Sequence, residues 1–191
     1  MFVAVTPPEH ALEDLAVFLG PRQEAEPGFR WTVPEQWHLT LAFLGTVAER
    51  HHDDLVARLA RAAARRTRFE LAIEGAGAFP NPARAKVLYA GIEPSDESGK
   101  TELRRLATGV RAAAGKAGAE VDGGKFHAHL TLARLGHPVE ATRWIRVFAT
   151  YRGPAWPVEE VALIESHLGE GPRRRPRYEV RDVFPIGRGS G

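Results

Sequence analysis

His38-Leu39-Thr40-Leu41-Ala42-Phe43-Leu44-Gly45 recurs 91 residues later as His129-Leu130-Thr131-Leu132-Ala133-Arg134-Leu135-Gly136, with seven of the eight positions identical. Leucine and alanine are common in this chain, so their agreement alone carries little. The recurrence of a histidine and a threonine at the same spacing inside one string is hard to ascribe to chance, and it makes an internal repeat the organising feature of the sequence.

Both copies are followed by similar patterns. After the first, Leu55, Leu59 and Ala62 fall at helical spacing within residues 48–65. The alternating stretches Phe69 to Ile73 and Lys86 to Ile92 then read as strands. After the second come a helix over residues 139–151 and strands over 158–167 and 178–184. A further helix precedes each copy, over residues 9–19 and 97–116, and Pro80-Asn81-Pro82 and the glycine-rich stretch 115–124 supply turns. These elements predict an α+β fold, a single bilobal domain over residues 1–191. Its two lobes are related by an approximate two-fold axis, each with an antiparallel-rich sheet flanked by helices, and the active cleft lies between them.

In a strand, residues i and i+2 share a face, so each His-Leu-Thr sets an imidazole beside a hydroxyl and sends the leucine into the core. An isolated His-x-Thr reads first as a core histidine satisfied by an internal hydrogen bond, and two matched copies reverse that preference. A pseudo-symmetric pair would gather two imidazoles and two hydroxyls around one phosphate-sized centre. Phosphoryl transfer needs a base for the attacking oxygen and an acid for the departing one, and imidazole, with an ordinary pKa near 6.5, can be either. Thr40 and Thr131 can donate to non-bridging oxygens. One histidine neutral and the other protonated predicts a bell-shaped pH profile.

Composition narrows the setting. With 43% hydrophobic and 26% charged residues the chain reads as globular, and without cysteine it has neither disulfides nor thiolate metal sites. The apolar start Met1 to Val5 is broken by Thr6-Pro7-Pro8-Glu9, and no stretch has the length of a membrane span, so a cytoplasmic location and no membrane contact are expected. A net charge of +2 is too small for a general polyanion binder. The basic run Arg173-Arg174-Arg175-Pro176-Arg177 reads as a solvated loop that could steer an anion.

With these residues in view, the chain resembles the 2H phosphoesterase superfamily, named for its two His-x-Thr motifs. Within it, the chain is most similar to the bacterial and archaeal RNA 2′,3′-cyclic phosphodiesterases once called 2′-5′ RNA ligases. The likeness runs from Phe2-Val3-Ala4-Val5 through Arg30 to Gly45, Phe79-Pro80, Lys86 to Tyr89 and Phe126 to Arg134, and on to Glu165-Ser166, Tyr178 to Val180 and Phe184-Pro185. Ala128 departs from the proline usual there. The resemblance implies hydrolysis of RNA 2′,3′-cyclic phosphate ends to 2′-phosphomonoesters, with His38 as acid, His129 as base and Thr40 and Thr131 on the phosphate. It also places Arg134 near the site, although strict alternation puts Arg134 on the face opposite His129, so its role requires a strand end or a bulge.

No metal and no cofactor are expected. The expected partners are RNA ends or nucleoside 2′,3′-cyclic phosphates, acted on by a monomer. Arg30 and Trp31 could flank the cleft as a cation and a stacking surface, while Trp31, Phe43 and Phe126 read at least as readily as packing residues. The pair His127 and His129 has a spacing that metal sites use, but a two-histidine acid-base pair accounts better for the whole pattern. His51-His52-Asp53-Asp54 reads as the start of a surface helix, and Gly75-Ala76-Gly77 as a strand-end turn. The alternatives are 2′-5′ ligase or 2′-5′ phosphodiesterase activity at the same four residues, and a noncatalytic RNA-binding module.

Overall fold

The computed structural model describes residues 1–45, 47–171 and 175–187. Nine strands and four α-helices follow one another among them: β1 (Phe2–Val5), α1 (Glu9–Ala25), β2 (Arg30–Trp31), β3 (Leu39–Phe43), α2 (His52–Ala64), β4 (Phe69–Phe79), β5 (Ala85–Pro94), α3 (Glu97–Lys116), β6 (His129–Val139), α4 (Thr142–Phe148), β7 (Trp156–Val158), β8 (Glu160–His167) and β9 (Arg177–Pro185). They form two antiparallel sheets, of order β3-β1-β8-β9 and β2-β6-β5-β4-β7.

The lobes are not the two halves of the chain. The first motif strand, β3, pairs with β1, but β4, the strand after the next helix, joins the second sheet beside β5. The second motif strand, β6, pairs with β5, while β8 returns to the first sheet beside β1. The halves therefore exchange strands, which an order of elements along the sequence cannot reveal.

Helix boundaries follow local chemistry. α3 begins where expected because the Asp96 side chain caps it, accepting from the backbone N–H of Gly99 at 2.6 Å. α1 runs past its expected end through Pro21. A proline there forfeits a bond to the carbonyl of Val17, a residue 79% exposed, so water can take the place of the missing donor. α4 is shorter than its pattern suggested, ending in a tight turn at Tyr151. Gly75 lies inside β4 rather than at its end: with φ of +81° it forms a bulge between Ile73 and Ala76.

One hydrophobic cluster runs through both sheets, joining Val3, Val5 and Leu39 of the first to Leu71, Leu88 and Leu130 of the second, with Leu15, Leu59 and Leu106 from the helices. Trp37 is among the largest side chains in it at 1% exposure, and its indole N–H donates to the Thr32 hydroxyl at 2.7 Å. That hydroxyl reaches the carbonyls of Thr131 at 2.7 Å and Leu132 at 2.9 Å, while the Thr32 N–H also donates to Leu132. A side chain next to one motif is thus fastened to the backbone of the other. Thr32→Val should leave the buried indole N–H unpaired and cost about 1–3 kcal/mol. Chemical denaturation would measure it, and a loss below about 0.5 kcal/mol would show that the bridge carries no net stability.

Candidate active site

Leu39 and Leu130 point into the core at 1% and 0% exposure, while His38, Thr40, His129 and Thr131 line a cleft of about 1140 Å³ between the sheets. Among the described residues, neither threonine hydroxyl is engaged in a hydrogen bond. Both motif strands then depart from alternation at the same place. Ala4 pairs with Thr40 and Val3 with Ala42, leaving Leu41 as the extra residue. Likewise Tyr89 pairs with Thr131 and Leu88 with Ala133, leaving Leu132 extra. Each is a β-bulge, and each returns the residue two places further on to the cleft face. On β6 that residue is Arg134, which resolves its apparent misplacement. On β3 it is Phe43, 53% exposed at the cleft instead of packed in the core. The one mismatch in the repeated octet is therefore where the two sides of the cleft differ.

The imidazoles are held alike. The ring Nδ1 of His129 lies 2.8 Å from the carbonyl of His127, and the backbone of Gln36, also two residues back, favours the protonated form of His38. Such a bond assigns the N–H to Nδ1 of His129 and leaves Nε2 for a reactant. Aromatic rings enclose both. Phe2 stacks on His38 at 4.6 Å between centroids and Tyr178 meets it edge-on at 5.3 Å, while Phe79 and Tyr89 meet His129 at 5.0 and 5.4 Å. Gly77 leaves room for the Tyr89 ring, since a Cβ there would fall 2.2 Å from the phenol oxygen.

This enclosure sets the electrostatics. Burial pushes the His38 pKa down to about 4, with the carbonyl of Gln36 opposing and the charges of His129 and Arg134 adding to it. Burial lowers His129 as well, again opposed by its carbonyl partner and assisted by His127 and Arg134. Both imidazoles of the empty cleft therefore shed their protons below the usual range, so the expected mixed protonation state needs a bound anion near neutrality.

Arg134 and Arg30 stand directly opposite each other on neighbouring strands, both exposed on the cleft, and neither is in an ion pair with a carboxylate among the described residues. Like charges across a strand pair repel, and a shared anion would relieve them. Trp31 packs against Phe29, Trp144 and Phe148 while one edge reaches the cleft. Phe126 is half-buried against the core. His127 is exposed, 5.7 Å from His129 between ring centroids. His51 caps α2 and His52 opens it, so the stretch lies at the start of a helix as expected, with His52 3.4 Å from Asp182. Arg175 donates to the carbonyl of Trp31 at 3.3 Å, and Arg173 and Arg174 lie outside the described residues. No helix among the described residues is long and apolar enough to cross a membrane.

The model of the family described as LigT like Phosphoesterase matches residues 5–89 and 92–173. The chain belongs to that family. An RNA 2′,3′-cyclic phosphodiesterase of Thermus thermophilus is 32% identical over 97% of this chain and 89% of its own length. One from Geobacillus stearothermophilus is 28% identical over 97% of this chain, which spans only 56% of that relative. Among solved structures, Escherichia coli LigT complexed with 3′-AMP shares 25% identity with a TM-score of 0.74, covering 98% of this chain and 97% of its own. In this LigT-like phosphoesterase the two motifs stand on strands of different sheets and line one cleft.

The walls include residues that the repeat gave no means of finding. Phe2 and Tyr178 flank His38 from β1 and β9, and the strand exchange brings the second of them there. Because His38 resists protonation in the folded state, its contribution to stability is complete above about pH 6.5 and is lost as pH falls from there toward 4. The melting temperature should therefore drop across that window, and less steeply for His38→Gln. Identical slopes would mean that the buried imidazole is not a source of acid lability.

Proposed function

We propose that this LigT-like phosphoesterase hydrolyses RNA 2′,3′-cyclic phosphate ends to 2′-phosphomonoesters. The observation that carries the reading is two imidazoles walled by aromatic rings and facing one cleft, beside two guanidinium groups without carboxylate partners among the described residues. The names of the curated relatives and the nucleotide in the LigT complex support the same chemistry.

In this reading the cyclic phosphate lies between the motifs with its non-bridging oxygens toward Thr40, Thr131 and Arg134. His129 takes a proton from water, whose oxygen forms a bond to phosphorus. The bond to the 3′ oxygen breaks, and His38 protonates that oxygen. A histidine whose proton affinity is depressed is the more willing donor once charged, and the phosphate anion supplies the local field that charges it. Arg30 attracts the same anion from the rim. The exposed face of Phe43 offers a surface for the nucleoside, so the Phe43–Arg134 difference orients a substrate that the paired motifs would otherwise accept either way round.

Incubation of the purified protein with nucleoside 2′,3′-cyclic phosphates in the presence of chelator, followed by product identification, tests the reading. A 2′-phosphate is expected, and His38→Ala and His129→Ala should each lower turnover by about 10²- to 10⁴-fold. A 3′-phosphate product, or activity restored only by added zinc or manganese, would overturn it. The profile of kcat/KM, which reports the free protein, should have its maximum on the acid side of pH 6.5 because both imidazoles are depressed, and the basic limb of kcat should lie at higher pH because bound phosphate favours the protonated form. A kcat/KM maximum above pH 7.5 would contradict the burial argument.

A further inference from the structure

Away from the cleft, α2 and α3 pack antiparallel with small residues at their contact, Ala62 meeting Gly109, and the close approach leaves a groove of about 330 Å³. Its walls carry Arg58, Arg61, Arg65, Arg66, Arg105 and Lys116, six cations in a chain whose formal net charge is only +2. Asp54 pairs with Arg58 at 2.7 Å, and Glu102 is shared by Arg66 at 3.7 Å and Arg105 at 2.9 Å. Arg61, Arg65 and Lys116 have no carboxylate partner among the described residues.

Along α2 and its C-cap residue the cations stand three and four residues apart, at 58, 61 and 65, which puts them on one side of the helix. An isolated solvated helix would gain from alternating signs here. Arg61 and Lys116 lie in the last turns of α2 and α3, where the helix dipole favours cations, and together the six charges form a concave positive surface that an extended polyanion would neutralise.

The groove is also connected to the cleft. It ends at Arg58 and Lys116, and the segment after Lys116 turns at Gly118 and then reaches the rim: Glu120 accepts from Gly45 at 2.8 Å, Val121 bridges to Leu44, and Asp122 donates to the carbonyl of Phe43 at 3.3 Å. Phe43 and Leu44 line the cleft. Six residues of chain separate Lys116 from Asp122, so the two sites are at most about 20 Å apart by that route. About six stacked nucleotides span that distance, and three or four more would follow the groove itself, about 12 Å of helix between Arg58 and Arg66.

We infer that the α2–α3 groove binds the phosphodiester backbone of the same RNA strand whose cyclic end occupies the cleft, about six nucleotides upstream of that end. The inference rests on the RNA-end reading above. It gives the protein two separable determinants, a chemical one for the terminus and an electrostatic one for the body of the strand.

The variant Arg61→Gln/Arg65→Gln/Lys116→Gln tests it, since all three side chains are exposed and the folded state can be checked by its melting temperature. On a nucleoside 2′,3′-cyclic phosphate, kcat/KM should equal that of the parent protein within about twofold. On a 12-nucleotide single-stranded RNA with the same end it should fall at least about tenfold at low salt. The slope of log kcat/KM against log salt should shrink by about two, the contribution of three phosphate contacts on a single strand. Equal kcat/KM for variant and parent on the long RNA would overturn the inference. So would a loss of equal size on the nucleoside substrate, which would mean that the substitutions act through the cleft. Binding of a 12-nucleotide RNA ending in a plain 2′,3′-diol, measured by fluorescence anisotropy, gives a readout that needs no turnover. Weaker binding by the variant supports the groove and equal binding refutes it. A parent protein that hydrolyses no cyclic phosphate would refute the catalytic reading alone.

Discussion

The site depends on two β-bulges, at Leu41 and Leu132. A regular strand cannot present residues i, i+2 and i+5 on one face, yet the cleft needs the imidazole, the hydroxyl and the side chain at the fifth place together. Inserting one residue on each motif strand solves this, and it turns neighbouring carbonyls toward the same side, where they would lack partners. Thr32 answers that need on the second strand, accepting nothing from the ladder and bonding both Thr131 and Leu132. Its third bond, from the Trp37 indole, ties the distortion to the residue before His38. The geometry of one motif is thereby held by the core packing of the other.

The aromatic rings around each histidine follow a related logic. They exclude water, which makes each imidazole reluctant to carry charge alone, and they fix the rings without consuming Nε2. The carbonyl of His127 takes up the other nitrogen of His129. The result is a pair of weakened bases near two guanidinium groups that have no carboxylate partner among the described residues, an environment whose protonation a bound anion would shift.

Much of this was legible in the sequence because it was repeated. The His-x-Thr recurrence fixed the motif strands and the buried leucines, and the helix read over residues 97–116 is α3 to the residue. Other features were not legible, for physical reasons that can be named. A strand bulge leaves no mark in the pattern of apolar residues, so Arg134 looked misdirected and Phe43 looked like core. Gly75 needed positive φ, which sequence reads as a turn at a strand's end and structure uses in its middle. The partners of His38 came from β1 and β9, and nothing in a linear pattern says which sheet a strand will join.

That exchange of β4 and β8 between sheets has a bearing on how such a molecule could arise. A chain of half the length, with one motif, would leave its first sheet short of the β8–β9 pair and its own β4–β5 pair without the second motif strand. Two identical copies could satisfy each other by trading those strand pairs, forming a symmetric pair around a cleft with the same residue at both fifth places. Joining the copies end to end would keep the architecture unchanged and free the two positions to diverge. Phe43 and Arg134 are the kind of difference that only covalent linkage permits: one polypeptide can bind an asymmetric molecule in one direction, where a symmetric pair would bind it in two.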